Sequence, residues 1–222
     1  MKFDYSDLPK LSDCDMKKRA LFVDLETSGL QHHIPDACTL SVGAVLSDTN
    51  GEIEAEFYRV ILPDQERLEK MHPKALEVNG MTEEILKAEG VPAEQAWSEF
   101  KDWLKEHKVV ATQTYYVGQN PSFDLAFIEA EAPDIIKKYN WRIGSPRVQD
   151  VIELYSVAQS KFIVPYISAG KSRKGKGGNN LAKHLGVEPE PEIHNAVEGA
   201  RLNYRNYHRL AQITKRFRNK HK

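Results

Sequence analysis

Residues 20–29 read Ala20-Leu-Phe-Val-Asp24-Leu-Glu26-Thr-Ser-Gly29, an apolar run that ends in two carboxylates. The run predicts a buried β-strand, in which residues two apart project from the same face roughly 6 to 7 Å from each other. Asp24 and Glu26 would then repel each other unless a cation lay between them, and Mg²⁺ or Mn²⁺ prefers such hard oxygen ligands. A pair of these ions is a common device for displacement at phosphorus. The alternative is an acidic strand end that leaves the core for solvent.

Strand and helix patterns that follow this stretch predict a mixed sheet. Strands are expected at Thr39–Leu46 and Glu54–Leu62, and an Asn-Gly pair between them favours a tight antiparallel turn. A fourth strand, Val109–Val117, precedes a helix at Ser122–Glu131, as in half of a parallel βαβ unit, and a short fifth strand lies around Arg147. We therefore expect an α/β fold, a mixed five-stranded sheet with helices on both faces.

One further acid belongs to the helix that follows the fourth strand. Asn120 is the expected N-cap of this helix, and Pro121 suits its first position. Asp124 would lie in the first turns, near the carboxyl end of the strand, where α/β proteins build their sites. The alternative role of Asp124 is a favourable interaction with the helix dipole, which is worth about 0.3 to 1 kcal/mol.

The remaining segments set the expected domain boundaries. Residues 1–19 are polar and unpatterned, so we interpret them as a lead-in to a single domain at 20–217. Residues 218–222 are interpreted as a basic tail. Within the domain, residues 161–178 lose all periodicity and are interpreted as a flexible basic loop.

Composition and charge exclude several classes of protein. The 222 residues carry 31 Lys and Arg against 32 Asp and Glu, and a net charge of −1 does not mark a nucleic-acid, membrane or acidic partner. The two cysteines have neither CxxC nor Cys/His spacing, which excludes a disulfide framework and a zinc site. The sequence has no run of about 18 apolar residues and no signal-peptide pattern, so we expect a cytoplasmic protein without membrane contact.

Five motifs follow one another between Ala20 and about Tyr207: FVDLETSGL, LEVNGMTEEIL, VGQNPSFDLAFI, QDVIELYSVA, and NNLAKHLG with IHNAVEGARL. Their order resembles that of the DEDD exonucleases, in the subgroup with a histidine in the last motif that includes the polymerase proofreading subunit and ribonuclease T. The resemblance implies a ribonuclease H-like fold and 3′-to-5′ release of nucleoside monophosphates with two divalent metals. It also implies that Asp24 bridges both ions, Glu26 holds one and Asp124 supports the site, while His194 deprotonates the attacking water.

The last motif departs from the family pattern at Gly199. The family places an aspartate five residues after the histidine, and counting from His194 puts Gly199 there. Either the site has lost one metal ligand, or the neighbouring Glu198 replaces it, although on a helix Glu198 points about 100° away. We expect Gly199→Asp to raise the rate at low Mg²⁺, because it restores the missing oxygen ligand and removes the cost of a glycine in a helix. Asp150, which matches a recurrent aspartate of the fourth motif, is expected to hold the fold.

Basic side chains are concentrated in the last quarter of the chain. In the loop at 161–178, we expect Lys171, Arg173, Lys174 and Lys176 to contact the phosphates of single-stranded DNA or RNA. The alternative is a solubilising segment. Two rivals to an exonuclease stay open: a catalytically degenerate nucleic-acid-binding module of the same fold, and a phosphodiesterase for very short oligonucleotides. A homodimer also stays open, since dimerisation is common among relatives.

Overall fold

One mixed sheet organises the residues that the computed structural model describes, 18–160 and 177–220. Its six strands lie in the order β4-β3-β2-β1-β5-β6. Their bounds are β1 (Arg19–Thr27), β2 (Thr39–Ser47), β3 (Ile53–Leu62), β4 (Val91–Pro92), β5 (Thr114–Gly118) and β6 (Val148–Asp150). The α/β class and the mixed sheet are therefore confirmed.

Strand β1 occupies the centre of the sheet and determines where the acidic residues lie. It pairs antiparallel with β2, which pairs antiparallel with β3, and this is the predicted meander. On its other side β1 runs parallel to β5, and β6 runs parallel to β5. The pairing with β5 stops at Phe22 and Val117, whereas the pairing with β2 continues past Asp24 and Glu26. The two acids thus lie where β1 has lost its parallel neighbour.

Two predictions about the strands were wrong. The sheet has a sixth strand, β4, which pairs parallel with the end of β3; two residues that include Pro92 are too short to show a strand pattern. The fourth strand in the sequence prediction, Val109–Val117, is observed only from Thr114. Val109 is buried but directly follows the turn at residues 107–108, and its N–H donates to the carbonyl of Leu104 rather than to a neighbouring strand. Its β-branched side chain therefore packs on the core without belonging to a strand.

Helices cover both faces of the sheet, as predicted. In chain order they are α1 (Gln65–Glu69), α2 (Pro73–Asn79), α3 (Glu83–Glu89), α4 (Ala93–Glu106), α5 (Pro121–Glu131), α6 (Pro133–Tyr139), α7 (Val151–Ser160), α8 (Gly177–Leu185) and α9 (Ala196–Lys220). Helix α9 thus extends into the segment predicted as a basic tail. None of the helices in the described ranges is long and apolar enough to cross a lipid bilayer.

Alternation along β1 assigns each face of the sheet its own core. Leu21, Val23 and Leu25 belong to the core beneath α4, α5 and α6, whereas Ala20 and Phe22 belong to the core beneath α7, α8 and α9. Because side chains alternate along a strand, Asp24 and Glu26 continue the second face. The acids therefore project toward α9.

Helix α9 begins in direct contact with the sheet. A Cβ atom on Gly43 of β2 would lie 2.1 Å from the carbonyl carbon of Ala196, so only glycine allows this approach. The contact places the first turns of α9 over the centre of the sheet.

Asn120 does not cap helix α5 in the predicted way. Its φ of 53° is left-handed, a conformation that asparagine tolerates better than most residues, and its side chain accepts no hydrogen bond from a backbone N–H of the helix. Instead its Oδ1 accepts from the Ser122 hydroxyl at 2.7 Å. Pro121 occupies the first helical position, as expected.

Candidate active site

Asp24 and Glu26 lie side by side at the free end of β1. Glu26 is 8% exposed although it is charged in its ordinary state, and Asp24 is half-buried. Because this apolar strand ends beneath α9, both carboxylates have little contact with solvent. Burial of two acids in this way is unfavourable unless a cation or a proton compensates.

Asp124 reaches the same place from helix α5. Its Oδ1 accepts the N–H of Leu25 at 3.0 Å, and the residue is 3% exposed. The pairing of β1 with β5 has ended before Leu25, because the chain turns from β5 into α5. The N–H of Leu25 therefore donates to the Asp124 side chain instead of to a neighbouring strand. The carboxylate is thereby fixed beside Asp24 and Glu26, so the structure brings together three of the predicted site residues.

His194 lies in the loop before α9 and faces a carboxylate that the sequence analysis did not identify. Its Nδ1 is 3.9 Å from Oε2 of Glu190, and its side chain is 31% exposed. One ligand atom from each of Glu26, Glu190 and His194 can be chosen so that all three lie within 4.8 Å of one another. Glu190 is thus a fourth acid of the site.

The sequence offers only a weak signal for Glu190. It lies in the run Glu188-Pro-Glu190-Pro-Glu192, where three acids alternate with two prolines. In the structure, the side chains of Glu188 and Glu192 are exposed and that of Glu190 is buried. Nothing in the alternation indicates which of the three turns inward.

A cavity of about 540 Å³ joins these groups. Among the residues that line it are Asp24, Glu26, Asp124, Glu190 and His194, together with Gly199 of α9. A second cavity of about 340 Å³ adjoins it. The two share a wall formed by Leu25, Glu26, Leu30 and Phe123. The acidic cavity therefore opens beside a largely apolar one.

Burial and mutual repulsion raise the pKa values of the acids. The pKa of Asp24 rises well above its ordinary value, first through burial and then through Asp124, Glu26 and Glu190. Burial, with Glu190 and Asp124, raises the pKa of Glu26 to about 8. Burial also raises the pKa of Asp124 to about 7, against the hydrogen bond from Leu25. A divalent cation among these oxygens would reverse the shifts, since opposite charge favours the ionised form.

Gly199 contacts Asp24 directly. A Cβ atom at position 199 would lie 2.2 Å from Oδ2 and 3.2 Å from Cβ of Asp24. The space that an aspartate side chain would enter is therefore filled by the Asp24 carboxylate. The side chain introduced by Gly199→Asp would therefore clash with Asp24, so this substitution cannot simply restore a metal ligand. The sequence alone does not reveal this clash.

Glu198, the predicted substitute ligand, has another partner. Its carboxylate pairs with Arg201, whose guanidinium also pairs with Glu56 on β3. Glu198 is not among the residues that line the acidic cavity in the described ranges. Asp150 accepts the N–H of Ile152 through its Oδ1 at 2.8 Å at the start of α7, in keeping with a structural role.

The predicted phosphate-contacting side chains, Lys171, Arg173, Lys174 and Lys176, lie outside the described residues. Their role stays a prediction.

Comparison with known proteins identifies similar sequences and folds. The family model RNase_T, described as an exonuclease, matches residues 21–207. DNA polymerase III PolC-type from Staphylococcus haemolyticus is 26% identical over 181 residues, which cover 81% of this chain and 10% of the polymerase. The chain thus spans about a tenth of the length of that relative.

Two solved structures illustrate the likeness of fold. E. coli Exonuclease I in complex with a dA16 oligonucleotide has a TM-score of 0.69 at 16% identity, over 91% of this chain and 42% of that one. The nuclease domain of 3′hExo, a DEDDh family member bound to rAMP, has a TM-score of 0.62 at 14% identity, over 90% and 94% of the two chains. At such identities the likeness establishes the ribonuclease H-like fold alone.

Proposed function

Since the chain belongs to the RNase_T family of exonucleases, we propose that it releases nucleoside monophosphates from the 3′ ends of single-stranded DNA or RNA. The observation that carries the proposal is the convergence of Asp24, Glu26, Asp124 and His194 on one cavity. These residues come from three separate parts of the sequence, and a solvated surface would not need to bury three acids together. The arrangement suits a phosphodiester hydrolase that requires metal.

The donor set fits two divalent cations, Mg²⁺ or Mn²⁺. It consists of carboxylate oxygens and one imidazole, which such hard ions accept. One buried acceptor, Oε1 of Glu190, has no hydrogen-bond partner within the described part of the chain. A carboxylate oxygen that binds a metal ion would have this environment. We assign Asp24, Glu26 and Asp124 to the metals. When bound, the ions supply neutralisation of the phosphate charge and a lower pKa for water.

His194 is assigned the role of general base. Its side chain borders the cavity yet keeps 31% of its surface exposed, so it can exchange protons with solvent. It accepts a proton from the water that attacks phosphorus. The new P–O bond forms as the bond from phosphorus to the 3′ oxygen of the penultimate nucleotide breaks. Imidazole is the side chain that most often serves as a general base.

The two adjoining cavities fit a terminal nucleotide. A volume of about 540 Å³ lies within the range of pockets for small ligands. We place the phosphate among the acids and the base in the neighbouring cavity, against Leu30 and Phe123. Stacking on apolar and aromatic side chains tolerates every base. Similar folds hold a DNA oligonucleotide in one structure and rAMP in another, which supports both DNA and RNA as substrates.

End-labelled oligonucleotides test the proposal. Single-stranded DNA and RNA carrying a 5′ label should shorten one nucleotide at a time with Mg²⁺ or Mn²⁺ and stay intact with EDTA. Asp24→Asn should abolish this shortening, because it removes a charge that faces the metals while the side chain keeps its shape. Glu192→Gln is the matched control on an exposed acid and should leave the rate unchanged.

Three outcomes would contradict the proposal. Shortening that survives both EDTA and Asp24→Asn would show that another activity is measured. Oligonucleotide binding without hydrolysis under either metal would instead support the nucleic-acid-binding module of the same fold. Hydrolysis of dimers and trimers without hydrolysis of longer chains would indicate the short-oligonucleotide phosphodiesterase.

We also propose a cytoplasmic location and retain the homodimer as a prediction. The buried thiol of Cys38 is free, which fits a reducing compartment. Sedimentation of the purified protein checks whether it dimerises.

A further inference from the structure

We propose that Glu190 supplies the metal-binding carboxylate that the family places at the position of Gly199. The inference rests on the proposed function, because it concerns the same site and the same ions. It assigns the fourth acid to a loop residue before His194, whereas the family takes it from the following helix.

Sterics around Gly199 explain why the helix cannot provide the ligand. Asp24 occupies the space where a side chain at 199 would begin, with its Oδ2 only 2.2 Å from an ideal Cβ. Any side chain there would have to displace the Asp24 carboxylate. The fourth acid therefore has to approach from another direction.

Glu190 has the burial and the orientation of a ligand. Its side chain is 8% exposed and lines the acidic cavity, and its Oε1 has no hydrogen-bond partner among the described residues. An unpaired carboxylate oxygen this deeply buried is costly and persists where something else compensates it. Glu26 and His194 offer further ligand atoms within 4.8 Å. A divalent cation is the partner that this group of donors fits.

The loop that carries Glu190 is held at several points, so its carboxylate is preorganised. The backbone N–H of Glu190 donates to Oδ1 of Asn179 on α8 at 2.7 Å. Arg205 of α9 donates to the carbonyl of Glu188 at 3.0 Å. The N–H of His194 donates to the carbonyl of Val78 on α2 at 3.3 Å. Three helices thereby fix the loop over the cavity.

A rival role for Glu190 is the orientation of His194. The distance from its Oε2 to Nδ1 of His194 is 3.9 Å, which is longer than a hydrogen bond. A carboxylate that oriented the ring would be expected at about 2.7 to 2.9 Å. The geometry therefore favours the metal, and the two roles predict different effects on metal affinity.

Calorimetric titration of the metal-free protein with Mn²⁺ alone, without nucleic acid, tests the inference. We expect Glu190→Gln to raise the Kd for Mn²⁺ at least about tenfold, since changes to outer-shell partners alone cost that much. Glu190→Asp, which keeps the charge, should bind Mn²⁺ more tightly than Glu190→Gln. Glu192→Gln, an exposed acid of the same loop, should retain the wild-type Kd.

Melting in EDTA shows that the variants are folded. Glu190→Gln should melt no lower than the wild type, because it removes one of several repelling charges. An unchanged Kd for Mn²⁺ in Glu190→Gln, or equal Kd values in Glu190→Gln and Glu190→Asp, would overturn the inference. A wild-type protein that fails to shorten oligonucleotides but binds Mn²⁺ through Glu190 would overturn the exonuclease proposal and keep this ligand.

Discussion

Gly199 affects the site through the space it leaves to Asp24. Gly199→Ala should add helix propensity of about 1 kcal/mol yet force the Asp24 carboxylate to rotate away from its Cβ. A displacement of this kind can lower the rate roughly 100-fold. We therefore expect slow hydrolysis by a protein that melts near the wild-type temperature. Gly199→Asp should suffer the same displacement.

A double-mutant cycle isolates the cause. If Gly199→Ala acts by displacing Asp24, it should change the affinity for Mn²⁺ when Asp24 is present. It should have no further effect on that affinity in a protein that already carries Asp24→Asn. Equal losses of affinity in both backgrounds would mean that Gly199 acts elsewhere in α9.

His208 makes the stability depend on pH. It is fully buried on α9, packs on the ring of Phe22, and its Nε2 lies 3.1 Å from the Ser47 hydroxyl. Burial lowers its pKa from 6.5 to about 4. Between about pH 6.5 and pH 4, His208 therefore binds a proton in the unfolded chain but not in the folded one. Its contribution to the unfolding free energy is complete above about pH 6.5 and is lost as the pH falls toward 4. The loss is about 3 kcal/mol.

Urea unfolding at a series of pH values measures this contribution. Between about pH 6.5 and pH 4, the unfolding free energy of the wild type should fall relative to that of His208→Gln, because protonation of the buried acids contributes equally to both proteins. The exposed His184, changed to Gln, should leave the wild-type slope unchanged. A slope in His208→Gln equal to that of the wild type would assign the acid sensitivity to other groups.

Among the elements, Glu131 of α5 links its own helix to β2 and α4 through hydrogen bonds. From the end of α5 its carboxylate accepts the N–H of Thr39 on β2 at 2.8 Å and the indole N–H of Trp97 on α4 at 3.0 Å. Glu131→Gln keeps only one acceptor oxygen for the two buried donors. A buried donor without a partner costs about 1 to 3 kcal/mol, and we expect that loss of unfolding free energy in urea.

The control for this substitution lies on the same helix. Glu129→Gln changes an exposed acid and should alter the unfolding free energy by less than about 0.5 kcal/mol. Equal stabilities of the two variants would show that the two hydrogen bonds contribute nothing measurable.

Elements with a clear period could be predicted from the sequence, and contacts made by irregular segments could not. The meander of β1 to β3 follows from alternating side chains and an Asn-Gly turn, and α9 follows from its apolar stripe. Val109 misled the prediction because a β-branched residue can be buried outside a strand as well as within one. Glu190 was missed because only the fold decides which acid of an alternating loop turns inward.

At the scale of the whole molecule, we expect the affinity for an oligonucleotide to fall as the salt concentration rises, because the substrate carries phosphate charges. Neutralising Lys171, Arg173, Lys174 and Lys176 together should weaken binding to a single-stranded oligonucleotide. If each contacts one phosphate, the slope of log affinity against log salt should shrink by about 3. Fluorescence anisotropy at several salt concentrations measures that slope.

A substrate without a phosphate chain provides the control. Hydrolysis of a mononucleotide ester should hardly change in the quadruple variant, because we place the reacting phosphate in the acidic cavity. An unaltered salt slope would assign the four basic side chains to solubility.

The motifs predicted which residues meet, because the fold brings Asp24, Glu26, Asp124 and His194 to one cavity. They could not predict how the site accommodates a glycine in place of an acid. That answer depends on the position of the Asp24 carboxylate, whose Oδ2 would lie 2.2 Å from a Cβ atom added at residue 199, and no one-dimensional pattern contains such a distance.

The order of these residues along the chain also sets when the site can form during synthesis. Asp24 lies in the first strand, whereas Glu190 follows it by 166 residues. At about 5 to 20 residues per second, a ribosome needs roughly 8 to 30 s to travel between them. A nascent chain that ends near Asp124 carries three of the carboxylates but neither Glu190 nor His194. The proposed metal site therefore cannot be complete until residues 190–194 have been synthesised.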